Sequence, residues 1–104
     1  MPNFRDLGGN NLNGVTLTGG DISGMITTGG TAQTLSPANG TRRGIEGQNI
    51  SAEDLWINDT GGVAAPDTAG SYKVAAGESF FTQSSSSVSI VGASTGSKFS
   101  AKEV

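Results

Sequence analysis

The chain has 104 residues, room for one small domain and an appendage. Its net charge is -3, and its six basic residues are scattered, so no cationic patch exists for phosphates and a nucleic-acid partner is not expected. There is no Cys and no His, which removes a disulfide framework, thiolate metal sites, and the commonest general base and metal ligand.

No apolar run approaches the ~20 residues of a membrane span, and the N-terminus lacks a signal-peptide core. The expectation is a protein made in the cytoplasm, with no membrane partner, metal, cofactor or catalytic residue. Gly is 17 of 104, roughly twice its average share, so turns are many.

Residues 1–30 read as a Gly-rich N-terminal arm. Leu12, Leu17 and Ile22 recur five residues apart, in steps NLNGV, TLTGG, DISGM and ITTGG. That spacing suggests either a short β-solenoid, whose apolar side chains stack against sister chains, or an extended arm. Glycine pairs at 8–9, 19–20 and 29–30 raise the entropy cost of ordering it. The arm cannot bury Leu12, Val15, Leu17, Ile22 and Met25 by itself, so these are its candidate contact residues.

Residues 31–104 read as a compact all-β domain, a small antiparallel β-sandwich or barrel. Residues 32–36 predict a first strand, and Pro37-Ala38-Asn39-Gly40 a turn, since Pro presets φ and Asn-Gly favours positive φ. Residues 42–58 predict a hairpin: a strand through Ile45, a tight connection at 49–51, and a return strand through Leu55-Trp56-Ile57. In that strand Leu55 and Ile57 share a face and Trp56 points the other way.

Residues 58–62 are a turn, and residues 63–70 a loop punctuated by Pro66-Asp67. Tyr72 and Val74 mark a half-buried strand. A turn at 76–78 leads into Ser79-Phe80-Phe81-Thr82. Residues 88–91 form a β-branched strand, 92–97 a turn, and 98–103 a last strand with Phe99 and Ala101 on one face. Seven or eight short strands at roughly ten-residue intervals are the signal of a sandwich or small barrel. The predicted core is Leu55, Ile57, Val74, Val88, Ile90 and Phe99. A compact part of roughly this size without disulfide or metal often gains stability from a partner surface.

Motifs that carry chemistry are weak here. Gly92 to Lys98, GASTGSK, follows a strand, but its glycines are one residue too close for a phosphate loop and Ser precedes Lys. Asn39-Gly-Thr41, Asn49-Ile-Ser51 and Asn58-Asp-Thr60 match the glycosylation acceptor pattern. They read instead as turns in which the Asn side chain bonds its own backbone. Glu46, Glu53, Asp54, Asp59 and Asp67 sit mostly at turns, with little cleft to push two carboxyl pKa values apart for glycoside cleavage. Trp56 and Tyr72 are candidates for an aromatic platform that stacks on a glycan or docks on a protein. Arg42 and Arg43, the only adjacent basic pair, are candidate surface contacts.

The residues Arg42-Arg43-Gly-Ile45, Leu55-Trp56-Ile57-Asn58, Gly70-Ser71-Tyr72-Lys73-Val74, Gly77-Glu78-Ser79-Phe80, Val88-Ser89-Ile90-Val91-Gly92 and Lys98-Phe99 carry a resemblance. Residues 32–103 resemble a small β-domain of tailed-bacteriophage virion proteins. These motifs are strand faces and turns, so the resemblance implies a fold and a setting rather than an activity. It implies a capsid decoration (cement) protein on the exterior of the virion, as a homotrimer bound to the major capsid protein. A tail, neck or fibre-adaptor subunit is the alternative, and a carbohydrate-binding module a second one.

Overall fold

The computed structural model describes residues 20–104. Among them there are nine strands and no helix. In chain order they are β1 (Gly20–Asp21), β2 (Gly24–Met25), β3 (Gln33–Ser36), β4 (Ile45–Asn49), β5 (Leu55–Asn58), β6 (Tyr72–Val74), β7 (Ser79–Thr82), β8 (Val88–Gly92) and β9 (Lys98–Glu103). They form two antiparallel sheets. One runs β1-β9-β4-β7, with β2 also paired to β9, and the other runs β3-β8-β5-β6. The architecture is all-β and sandwich-like, with the core between the sheets.

Period-two alternation sets the faces. Ile45 on β4 and Phe99 and Ala101 on β9 point inward from the first sheet. Leu55, Ile57, Val74, Val88 and Ile90 meet them from the second. All six residues expected in the core are buried there. Leu35 and Ile26 complete it, and Ile26 is wholly inaccessible. Ile90 lies opposite Ile57 on β5 and Gln33 on β3, at the middle of its sheet. Trimming it with Ile90→Val should therefore lower stability by about 0.5 to 1.5 kcal/mol, measured by urea unfolding. An unchanged midpoint would mean that the site collapses around the missing methyl group.

Residues 42–58 are not a hairpin. β4 pairs with β7 and β9, whereas β5 pairs with β6 and β8 in the other sheet. The five residues between them form an arch that carries the chain across the core. Asn49 makes the crossing. Its Oδ1 accepts from Ser51 N at 2.9 Å and Ser51 Oγ at 2.6 Å, which turns the chain out of β4. Its Nδ2 donates to Val74 O at 2.8 Å and Glu53 O at 2.6 Å, joining one sheet to the edge of the other. Its burial is complete, and every one of these bonds is to the protein.

The same local device recurs. Asn39 Oδ1 accepts from Thr41 N and Oγ1, and Asn58 Oδ1 from Thr60 N and Oγ1. The three Asn-x-Ser/Thr triplets are thus Asx turns, as expected from their side-chain chemistry.

The boundary expected at Thr31 falls inside the fold. β1 and β2 pair with β9, through Gly20↔Glu103, Asp21↔Lys102, Gly24↔Phe99 and Met25↔Lys98. Ile22 N donates to Ala101 O at 2.9 Å, and the Ile22 side chain packs on the core beside Ile26. Ile22 is therefore not a solenoid step but part of the domain's own wall. One constant register on β9 carries both short strands, so Ile22 and Ile26, four residues apart, fall on the same inner face.

Candidate functional site

Of the expected contact residues, Leu12, Val15 and Leu17 lie outside the described residues. Ile22 is committed to the core. Met25 keeps 49% of its surface exposed on the β2 edge. The two arginines have opposite fates. Arg43 is exposed, but the Arg42 side chain is only 1% accessible.

Arg42 is a strut rather than a surface contact. Its Nε donates to Ser84 O at 3.0 Å, its Nη1 to Pro37 O at 2.7 Å and Ser36 Oγ at 3.2 Å, and its Nη2 to Ser86 O. Nη1 also pairs with Glu103 Oε2 at 3.3 Å. A planar guanidinium with its donors in a fixed fork satisfies carbonyls from several directions, which explains why it is tolerated there. Through it the end of β3, the link between β7 and β8, and the end of β9 are held at one point.

Trp56 and Tyr72 do not form a platform. Tyr72 stands directly opposite Ile57, whereas Trp56 stands opposite Lys73 and Val91. Partners directly across a ladder share a face, so Tyr72 lies on the inner side of the sheet and Trp56 on the outer. Trp56 is half-buried. The loop after β5 folds back over that outer face: Ala64 is buried, and its N–H bonds Ser89 on β8.

Tyr72 belongs to a different surface. β6 and β7 are the edge strands of the two sheets, and both border one cleft on the same side of the sandwich. The cleft measures about 230 Å³ and is lined by Ile57, Tyr72, Val74, Phe80 and Phe81. Asp59, Lys73, Ser79 and Thr82 complete the lining, so polar and apolar groups share it. Tyr72 is 61% exposed and Phe81 58%. Thr82 Oγ1 donates to Asp59 Oδ2 at 2.6 Å, which pins the end of β7 beside the chain leaving β5.

Gly47 shapes this surface from behind. It lies opposite Phe80 and Ala101, and a Cβ there would sit 2.5 Å from both the Phe80 ring and Ser100 O. Bare backbone at Gly47 lets Phe80 lie down toward the core. Gly47→Val should displace that ring and lower stability by about 1 to 3 kcal/mol, read as a fall in melting temperature. No change would mean that the ring is held from the cleft side instead.

The outer face of the first sheet is a broad, shallow depression of about 940 Å³. Across it, Asp21 stands opposite Lys102, Lys102 opposite Glu46, and Glu46 opposite Phe81. Lys102 Nζ is 3.5 Å from Glu46 Oε1, but both side chains are about half exposed, so the pair adds little stability. Asp21 Oδ1 accepts from Ser23 N at 2.9 Å, and that backbone bond, with the Ser23 hydroxyl, holds its carboxyl below the usual range. Two carboxylates and one ammonium leave this lining slightly negative. The remaining lining is Ser23, Gln48, Ser79 and Ser100.

No family model, curated protein or solved structure matches the chain. What sequence reasoning missed is Phe80-Phe81. The signal was present: a four-residue strand with two aromatics and no charge or proline to guard it.

Proposed function

We propose that the chain is a non-enzymatic structural subunit of a tailed-bacteriophage virion, most simply a capsid decoration (cement) protein. In this role it sits on the outer shell, contacts the major capsid protein and sister copies, and staples neighbouring shell subunits. The resemblance of residues 32–103 supports the setting. The observation that carries the reading is the contrast between a tightly tied interior and a side on which two exposed aromatics, Tyr72 and Phe81, line one cleft. Arg42 and Asn49 lock the two sheets together, while the β6/β7 side offers Tyr72, Phe81 and a strand edge with no neighbour among the described residues. A rigid body that presents an exposed aromatic pair suits a cement subunit, which must dock without deforming.

The tail, neck or fibre-adaptor reading uses the same body in another place. The carbohydrate-binding reading loses the aromatic platform on which it rested, since Trp56 and Tyr72 face opposite ways. Purified phage heads and tails separate these ideas. The protein added to each should co-sediment with heads and not with tails, and Tyr72→Ala should weaken that retention while Trp56→Ala leaves it intact. Retention on tails alone would move the subunit to the adaptor role. Binding to a glycan array abolished by Trp56→Ala would replace both readings.

A further inference from the structure

On the outer face of the first sheet, the cross-strand register lines up two rows of side chains. One row runs from β1 to β7 as Asp21, Lys102, Glu46 and Phe81. Beside it runs a second row of Ser100, Gln48 and Ser79. All of them are exposed and line the same shallow depression. Three strand spacings of ~4.8 Å make the first row about 14 Å long, the reach of a short oligosaccharide.

Phe81 is the one aromatic of the two rows. Its ring is folded onto the sheet rather than held out from it. A Cβ on Gly44 would lie 3.0 Å from two atoms of that ring, Cε1 and Cζ. Bare backbone at Gly44 lets the ring settle just before β4, while Phe81 as a whole stays 58% exposed.

The polar groups nearby are positioned but not used up. Gln48 Nε2 donates to Gly77 O at 3.0 Å, which orients the carboxamide and leaves Oε1 without a donor among the described residues. Glu46 meets Lys102 through Oε1, so Oε2 keeps its acceptor capacity.

The chemistry of the face selects its occupant. The centre of a protein interface is depleted of charge, whereas Lys102, Glu46 and Gln48 stand at the centre here. A protein seated on them would strip water from an ion pair. Nucleic acids and acidic polysaccharides would meet a lining that is already slightly negative. A neutral sugar suits both parts of the face. Its C–H side stacks on an aromatic ring, and its hydroxyls, each a donor and an acceptor, lie around the edge.

We propose that this face binds a neutral oligosaccharide. Phe81 lies under one sugar ring, and Gln48 Oε1 and Glu46 Oε2 accept from hydroxyls of that ring or the next. The site is an accessory one on the same body, and it does not depend on whether head or tail is the protein's home. It uses neither Trp56 nor Tyr72, which belong to the other sheet. Phe81 also borders the β6/β7 cleft, but Gln48 and Glu46 do not, so variants at those two separate sugar binding from docking there.

The test titrates the isotope-labelled full-length protein with soluble oligosaccharides and follows its backbone amides by NMR. The panel holds neutral oligomers of glucose, galactose, mannose and N-acetylglucosamine, with sialylated and sulfated sugars beside them. A neutral oligosaccharide should shift the amides of Gln48, Phe81 and Ser100. Gln48→Ala and Phe81→Ala should each weaken its binding by roughly tenfold or more. Phe81→Trp should keep it, and Trp56→Ala and Tyr72→Ala should leave it unchanged. If Phe81→Ala melts far below the wild type, Gln48→Ala and Glu46→Ala, both at exposed positions, carry the test. No shift with any neutral oligosaccharide, shifts centred on other residues, tighter binding of the acidic sugars, or binding that survives Gln48→Ala would each overturn the proposal. So would weaker retention of Gln48→Ala on phage heads with no sugar bound, which would make the face a protein contact. Shell docking is read separately from Tyr72→Ala, so either reading can fail without the other.

Discussion

Arg42→Met should lower the stability of the protein by about 3 to 5 kcal/mol, whereas Arg43→Met beside it should stay within about 0.5 kcal/mol of the wild type. The difference follows from what each head group touches. The Arg42 guanidinium supplies partners to Pro37 O, Ser84 O and Ser86 O and pairs with Glu103, with its side chain almost wholly enclosed. Methionine fills much of the volume but donates nothing. Three carbonyls lose a donor, and Glu103 keeps only the Ser36 hydroxyl bond among these partners. Most of the cost falls on these carbonyls, because Glu103 keeps 23% of its side chain accessible and water can reach it. Arg43 is exposed, and its loss leaves no buried group unmatched. Urea unfolding of both variants checks this. Equal, small effects would mean that the carbonyls find water once Arg42 is gone.

Asn49→Asp changes one atom of the side chain and should cost at least about 3 kcal/mol at neutral pH. In the wild type Nδ2 donates to Val74 O and Glu53 O, while Oδ1 accepts from Ser51. The substituted carboxylate keeps the acceptor but sets a second anionic oxygen against two carbonyl oxygens, fully buried. Such a carboxyl titrates above its unfolded value, so the folded state binds its proton more tightly than the unfolded state does. The variant must therefore recover stability as pH falls, and lose it as pH rises through the folded-state pKa. Thermal melts of the variant and the wild type at several pH values supply the check. A deficit that does not shrink in acid would show that the arch, rather than buried charge, sets the cost.

These two residues mark where sequence reasoning stopped. Alternation showed which residues of β5, β6, β8 and β9 face inward, and Leu55, Ile57, Val74, Val88, Ile90 and Phe99 are all in the core. Alternation assigns a face and says nothing about the partner strand. Ile45 and Leu55 point inward whether β4 and β5 form a hairpin or an arch, so adjacency in sequence favoured the wrong one. The device that decides it, Asn49 bonding to Val74 O, spans 25 positions along the chain.

Arg42 and Arg43 are identical in type and adjacent. Only the convergence of residues 36–37, 84–86 and 103 separates a strut from a surface side chain. The Trp56–Tyr72 pairing failed for a related reason. It needed the register of β5 on β6, which places Tyr72 across from Ile57. β1 and β2 escaped notice because two residues are too few to show alternation, although Ile26 is as deeply buried as any residue in the core.

The central functional claim is that this body belongs on a capsid shell. The most direct measurement is a three-dimensional reconstruction of the phage particle at a resolution that separates strands. The account predicts two four-to-five-strand layers of this outline at lattice positions on the outside of the head, with the β6/β7 side covered by a neighbour. Heads whose lattice positions carry no such density, or the same outline found in the tail, would contradict it.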